Sequence, residues 1–411
     1  MTPADAARGL IGRYLELGLG LGRHVDGLVD AYYGPPELAV RIDAAPLRAP
    51  AQLVADGRAL VAALDAGEPL DDGAPGEPGP DPGADARRRR WVRAQAVGLL
   101  TTARRLTGEP IAYPDEVEAC YGVRPHVVPE EELAAAHRRL DDALPGSGPL
   151  ADRLIAWREA QAVPPDTLTA AIGSLAEELR QRTDDLFGLP DGEHVEFELV
   201  TDKPWSGFNH YLGGLRSSVA VNTDLPVLST SLAHLVAHEA YPGHHTEHCR
   251  KEVGLVRRRH WLEETIFLVG TPQCLLAEGL ADLGLEVVLG PRPEPVVAGH
   301  LHPLGIRYDA EVVAALAESA ETLGAVRGNA AWRLHVEGAD PELVVDEVAR
   351  WALLPRRRAA KAVEFLLHPT WRAYVSCYVE GLPLCRRFVG GDPARFAELL
   401  SEQLVPADLA A

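Results

Sequence analysis

The chain has 411 residues, 46% of them hydrophobic, and a formal net charge of −20. That length supports one large domain or two ordinary ones, and the acidic balance speaks against nucleic acid as a partner, because phosphate binding needs basic patches. Five dispersed cysteines with no CxxC pair (Cys120, Cys249, Cys274, Cys377 and Cys385) exclude a disulfide framework and a cysteine-rich zinc module, and read as buried apolar filler.

The N-terminus lacks a basic stretch followed by an unbroken apolar run, so no signal peptide is expected. No apolar run approaches the ~18 residues of a membrane span, and the expectation is a cytoplasmic protein without a membrane partner. Residues 5–64 read as helices, interrupted at Gly34-Pro35-Pro36. The acidic, Pro- and Gly-rich stretch 65–85 reads as a surface loop. The run Arg87 to Arg90 beside it reads as a solvated face. Helical periodicity returns over 86–188.

The texture changes at 193–228, where "VEFELV" and "SSVAVN" alternate, which predicts two or three short strands. Long helices are expected from 229 almost to the end, with breaks near Pro272, Gly290–Pro295, Pro303, Gly338–Pro341, Pro355 and Pro383. The expected organisation is an N-terminal helical region, 1–190, and a region with the sheet and the site helices, 191–411, forming one continuous unit.

"HLVAHEAYPGHHTEHC", 234–249, carries the chemistry. Zn²⁺ takes neutral imidazoles and a carboxylate and leaves one position for water, and a Glu beside the first His can accept a proton from that water. His238 and Glu239 open such a pattern, but the residue four after His238 is Pro242. Proline cannot donate to the carbonyl of His238, so the helix is expected to bulge or kink at 241–243. A bulge brings His244 to the second ligand position; an unbroken helix brings His245 nearer instead. His244 is favoured, with His245 as a close rival. The pairs His234/His238 and His244/His248 also have i, i+4 spacing but set no Glu so well beside an open position.

A third ligand is expected from "TPQCLLAEGLADLGLEVVLG", 271–290, where Glu278 and Asp282 lie one turn apart in an apolar run. Glu278 is the candidate ligand, and Asp282 would accept the free imidazole N–H of a metal-bound histidine. Arg216, in the strand upstream, is a candidate for holding a substrate carboxylate, and the stretch 213–224 for pairing with an extended substrate. Among His368, Arg372, Tyr374 and Tyr378 near the C-terminus, Tyr378 and then Tyr374 are the candidates for stabilising an oxyanion. Tyr241 is a candidate for the pocket wall.

"HEAYPGHH" resembles the signature of the bacterial "domain of unknown function 885" family, and "AEGLADLGLE" resembles that family's second motif, a Glu-Gly-Trp-Ala-Leu-Tyr string. Glu278 and Gly279 match it; Leu280 stands for the Trp, and Asp282-Leu283 for the Leu-Tyr. "SSVAVNTDLP" falls where the family places the strand before its first motif. The resemblance covers about 195–385 and extends loosely to the N-terminal helices. It implies a mainly α, zincin-like metallohydrolase with a small antiparallel sheet beside the metal-binding helix.

Three functions are compatible with these residues. The first is a zinc peptidase acting on a peptide or small amide, with Glu239 as general base. The second is a hydrolase of a non-peptide amide or ester, and the third a metal-binding helical protein without turnover. Oligomeric state is not readable.

Overall fold

The computed structural model describes residues 9–70, 83–203 and 205–410. From the N-terminus come α1 (Leu10–Gly22), β1 (Val29–Tyr32), α2 (Pro36–Ala44), α3 (Pro50–Asp65), α4 (Ala84–Leu106), α5 (Tyr113–Tyr121), α6 (Glu130–Ala143), α7 (Leu150–Glu159) and α8 (Pro165–Phe187). Three strands follow, β2 (His194–Val200), β3 (Gly207–Gly213) and β4 (Arg216–Asn222), then α9 (Ser229–Glu239) and α10 (His244–Lys251). After β5 (Ile266–Leu268) come α11 (Pro272–Leu289), α12 (Glu294–Leu301), α13 (Ala310–Gly324) and α14 (Val326–His335). The last are α15 (Pro341–Trp351), α16 (Arg356–Leu367), α17 (Val375–Val389), α18 (Pro393–Ser401) and α19 (Pro406–Leu409). The fold is mainly α, as expected.

Proline begins many of these helices rather than merely ending the one before. Pro36, Pro50, Pro165, Pro272, Pro341 and Pro393 all sit in a first turn, where a missing N–H costs nothing because that group has no intrahelical partner. Pro383 departs from expectation. It lies inside α17, which continues through it. Packing of α17 against α11 outweighs the lost hydrogen bond: a β-carbon on Gly381 would lie 2.7 Å from the Leu275 carbonyl oxygen, and one on Gly279 would overlap the Gly381 carbonyl. The two helices therefore cross backbone to backbone at a pair of glycines.

The sheet expected near 195–225 has the strand order β2-β4-β3. β3 and β4 pair antiparallel, but β2 and β4 pair parallel, so this sheet is mixed. A second sheet, antiparallel β1-β5, falls in two stretches read as helix. Four and three residues are too few for periodicity to separate strand from helix, and each is strand because the other is there to pair with it.

Among the described residues three large apolar clusters and one of three residues (Ala84, Leu255 and Trp261) form the core, and each takes residues from both sides of position 190. One joins Leu10 through Ala103 to Ile266 and Leu268. Another joins Val163 through Leu179 to Val221 and to Leu232 through Tyr241. The largest joins Tyr113 through Leu154 to α11 and the C-terminal helices.

The arginine run is not a solvated face. Successive helical residues point about 100° apart, so four in a row cannot all face water. Arg88 is buried and grips Glu263 through Nε and a terminal nitrogen at 2.5 and 2.8 Å, while Arg87 reaches Glu402 and Arg90 reaches Asp408. Most of the loop expected at 65–85, namely 71–82, lies outside the described residues. All five cysteines are buried and free.

Candidate metal centre

α9 ends at Glu239 and α10 begins at His244, so the expected kink is a full break. The Tyr241–Pro242 peptide bond is cis. Gly243 donates its N–H to the Ala237 carbonyl at 2.9 Å, and Thr246 caps the Ala240 carbonyl through its hydroxyl at 3.0 Å, so the polar groups freed by the break find partners. The turn brings His244 back over α9. Its Nε2 lies 3.1 Å from His238 Nε2.

α11 supplies the acids. Glu278 Oε2 lies 3.4 Å from His238 Nε2, and Glu278 Oε1 lies 3.9 Å from His244 Nε2. His238, His244 and Glu278 each offer a ligand atom within 4.8 Å of the others. One turn on, Asp282 Oδ1 accepts from His238 Nδ1 at 2.9 Å. That bond fixes the tautomer: with Nδ1–H donated to a carboxylate, a neutral His238 presents a bare Nε2 to His244 and Glu278.

The residues could hold a metal ion, and the environment of the carboxylate bears on that besides their spacing. Glu278 Oε2 is buried and faces His238 Nε2 at 3.4 Å, with no second partner. Two imidazole nitrogens and this carboxylate oxygen converge, a set that a metal ion satisfies and that, without one, a proton on His238 satisfies. Ligands about 2.0–2.1 Å from a tetrahedral zinc stand about 3.3 Å apart, close to the shortest distances here.

The charges show the same demand. Burial depresses His238, yet hydrogen bonds with Asp282 and Glu278 hold its imidazolium well above the usual histidine range. Burial, then His238, push His244 down to about 4. Burial acts to raise Glu278 and Asp282, but hydrogen bonds and charge from His238 hold both below the ordinary carboxylate value. Glu239 is buried, and burial, reinforced by Glu278 and Asp282 against the opposing His238, pushes it up to about 7.

A second possible grouping, His234, His238 and Asp282, is more exposed. It competes for Asp282, which His238 already holds.

His245, the rival second ligand, is turned away. It is fully buried; its Nε2 donates to Glu193 at 2.8 Å and its Nδ1 accepts from the Ser217 hydroxyl at 2.8 Å. The break in the helix rotates it to the opposite side of α10 from the site. Tyr241 goes with it: its ring is buried and its hydroxyl donates to Glu193 at 2.8 Å, so it forms core rather than pocket wall.

β4 is the central strand of its sheet, with both edges paired, so the stretch 213–224 has no free edge for an extended substrate. β3 is the strand beside Glu239: Asn209 donates to the Glu239 carbonyl at 2.5 Å, and a β-carbon on Gly207 would lie 3.1 Å from Glu239 Oε1. Arg216 is exposed at the start of β4 and belongs to neither histidine grouping.

Tyr374 and Tyr378 do reach the site. Tyr374 donates to Glu278 Oε1 at 3.0 Å, and the two hydroxyls lie 3.0 Å apart. The glycine crossing of α11 and α17 is what brings these rings over Glu278. Tyr378 is 39% exposed, the open end of the pair. Arg372 is committed elsewhere, in an ion pair with Glu116.

Sequence reasoning missed Glu193 and Asn209. Asn209 is an isolated polar residue whose role depends on strand pairing. Glu193 is one of several acids at the start of the β-rich stretch, with Asp191, Glu196 and Glu198, and nothing singles it out.

No family model and no curated protein matches the chain. Among solved structures, the fold is similar to a "putative lipoprotein" from Colwellia psychrerythraea, at 14% identity, covering 87% of this chain and 68% of that one, with a TM-score of 0.53. A "putative lipoprotein of unknown function" from Shewanella oneidensis has 13% identity, covers 88% of this chain and 71% of that one, and has a TM-score of 0.44. What the first of these supports is the fold alone.

Proposed function

We propose that this protein is a zinc-dependent hydrolase acting on peptides. The observation that carries the reading is the convergence of His238, His244 and Glu278, whose ligand atoms lie within 4.8 Å of one another, with Glu239 next in the chain to His238. His238, His244 and Glu278 would hold the ion; two imidazoles and one carboxylate are a donor set that suits zinc. When bound, the ion supplies Lewis acidity toward a carbonyl oxygen and toward water.

The chain's own residues supply the rest. Asp282 holds His238 in the ligating tautomer. Glu239, with a proton affinity near neutrality, accepts a proton from the attacking water. As the C–N bond breaks, Glu239 passes that proton to the departing nitrogen. With the Tyr374 proton given to Glu278, Tyr378 donates to the Tyr374 oxygen at rest; released from that bond, its hydroxyl donates to the oxygen on which negative charge develops.

The test is Glu239→Gln, assayed against a mixed peptide library and by metal analysis. The variant is expected to keep its zinc and to lose about 10²–10⁴-fold in hydrolysis, the usual worth of a general base. Failure of the native protein to bind zinc on titration, or full activity in the variant, would overturn the reading. Cleavage of amides or esters but of no peptide would leave the metal chemistry standing and remove the peptidase.

A further inference from the structure

Outside the residues of the metal centre, the turn between α16 and α17 closes a cavity of about 270 Å³ against α4 and α5. Leu28, Leu106, Tyr121, Val269 and Trp371 give it apolar walls. Tyr121 and Ala373 are buried while Pro369 is exposed, so the cavity runs from the surface into the core. Gly27 lets Trp371 stand where it does: its φ of 76° is left-handed, and a β-carbon there would lie 3.2 Å from the end of the indole.

Among the described residues one acid and one base line the cavity, Glu116 and Arg105. Glu116 is buried and already neutralised, because Arg372 donates to its Oε2 through Nε at 2.8 Å and through a terminal nitrogen. Arg105 Nε is buried and faces Glu116 Oε1 at 3.6 Å, beyond a hydrogen bond, and makes no hydrogen bond among the described residues. Two guanidinium groups thus share one carboxylate, which leaves one positive charge at the cavity wall. A buried N–H without an acceptor is costly, and a ligand carboxylate supplies both the acceptor and the missing charge. Size limits the remainder of that ligand. At the packing density of protein interiors the cavity holds roughly ten to twelve non-hydrogen atoms, enough for a medium-chain acid or one acylated amino acid but not for a longer peptide.

The wall also touches a residue of the metal centre. The Trp371 ring stands edge-on to that of Tyr374, with centroids 6.0 Å apart, and Tyr374 donates to Glu278 at 3.0 Å. A ligand that displaces Trp371 therefore acts on the hydroxyl that holds Glu278.

We propose that this cavity binds a small carboxylate with an apolar body, and that its occupancy is passed to Glu278 through Trp371 and Tyr374. Arg105 receives the carboxylate, and the apolar walls take the body. The binding site stands independently of the hydrolase reading; only its connection to Glu278 rests on that reading. Two sources share this chemistry, a free medium-chain acid and the carboxylate end that peptide hydrolysis releases.

Titration calorimetry on the native protein compares octanoate and N-acetyl-leucine, one for each source, each against its neutral amide. The acid of the true source is expected to bind at least about tenfold more tightly than its amide, the usual worth of a hydrogen bond to a charged group. Arg105→Gln should bring acid and amide within about twofold of each other, and Arg105→Lys should keep part of the preference. Leu106→Trp, which fills the cavity, should abolish binding of both. Saturating acid should shift zinc affinity by about fivefold or more in the native protein and leave it unchanged in Leu106→Trp. No binding of either acid overturns the site. So does an acid preference that survives Arg105→Gln, since the carboxylate would then be held at the metal or elsewhere. Binding that leaves zinc affinity unchanged keeps the site and overturns its connection to Glu278. Absence of zinc binding altogether removes the hydrolase reading and that connection, while the calorimetry alone decides the site.

Discussion

A β-carbon on Gly243 would overlap the carbonyl oxygen of His238, and nothing at that point can give, because the obstacle is main chain. The same residue is the hinge that returns His244 to His238. Gly243→Ala therefore has to move the turn, and with it the second imidazole. Overpacking of this kind costs about 1–3 kcal/mol, and the variant is expected to lose at least about tenfold in zinc affinity by competition with a chromophoric chelator. Affinity equal to the native protein's would show that the turn does not set the distance between the two histidines. This residue-level geometry also marks where sequence reasoning stopped. The His238-Glu239 pair, Glu278 and Asp282 could be picked out because polar residues stand alone in apolar helices. The choice between His244 and His245 could not be settled, because a chain broken at Pro242 leaves helical periodicity without a reference.

At the scale of elements, Glu193 is the joint. Its carboxylate accepts from Tyr241 in the turn and His245 on α10, and pairs with Arg180 on α8, while Ser217 on β4 holds the other side of His245. Burial acts to raise this acid, but the hydrogen bonds from His245, Tyr241 and Arg180 outweigh it and hold the carboxyl down at about 2. A depressed folded-state pKa stabilises the fold above the unfolded value and ceases to do so as pH falls through the folded one. Stability is thus expected to decline between about pH 4.5 and pH 2, and Glu193→Gln to flatten that part of the profile. Urea midpoints of both proteins across this range measure the difference; parallel profiles would count against the joint. No feature of the sequence pointed to this joint, since Arg180, Ser217 and His245 sit on three separate elements and Glu193 on the segment before β2. The long helices, by contrast, were readable from periodicity and proline. β1 and β5 were not, being short and dependent on each other.

For the whole molecule, the three large apolar clusters tie the first 190 residues to the remainder, and the centre takes groups from α9, α10, α11 and the start of α17. Metal binding should consequently stabilise the entire chain rather than one part. A ligand at 100 times its dissociation constant adds about 2.7 kcal/mol. Removing zinc with a chelator is expected to lower the thermal midpoint by a few degrees while keeping one transition by far-UV circular dichroism and by tryptophan fluorescence alike. A transition that splits, with only one phase sensitive to zinc, would mean that the halves unfold separately. The overall helical class could be read from composition and proline spacing. The sharing of cores could not, because apolar periodicity shows which face is buried but not against what.

The pairing of β1 with β5 has a consequence for how the molecule is made. Val29 must wait for Leu268, more than two hundred residues later in the chain. At roughly 5–20 residues per second, the ribosome leaves the first strand without its partner for roughly ten to fifty seconds. Through that interval the nascent chain holds an open edge of only four residues, with a charged side chain at its centre, which are two of the means by which strand edges avoid pairing with the wrong neighbour. Asp30 would thus protect the polypeptide during synthesis, before Leu268 closes the pairing.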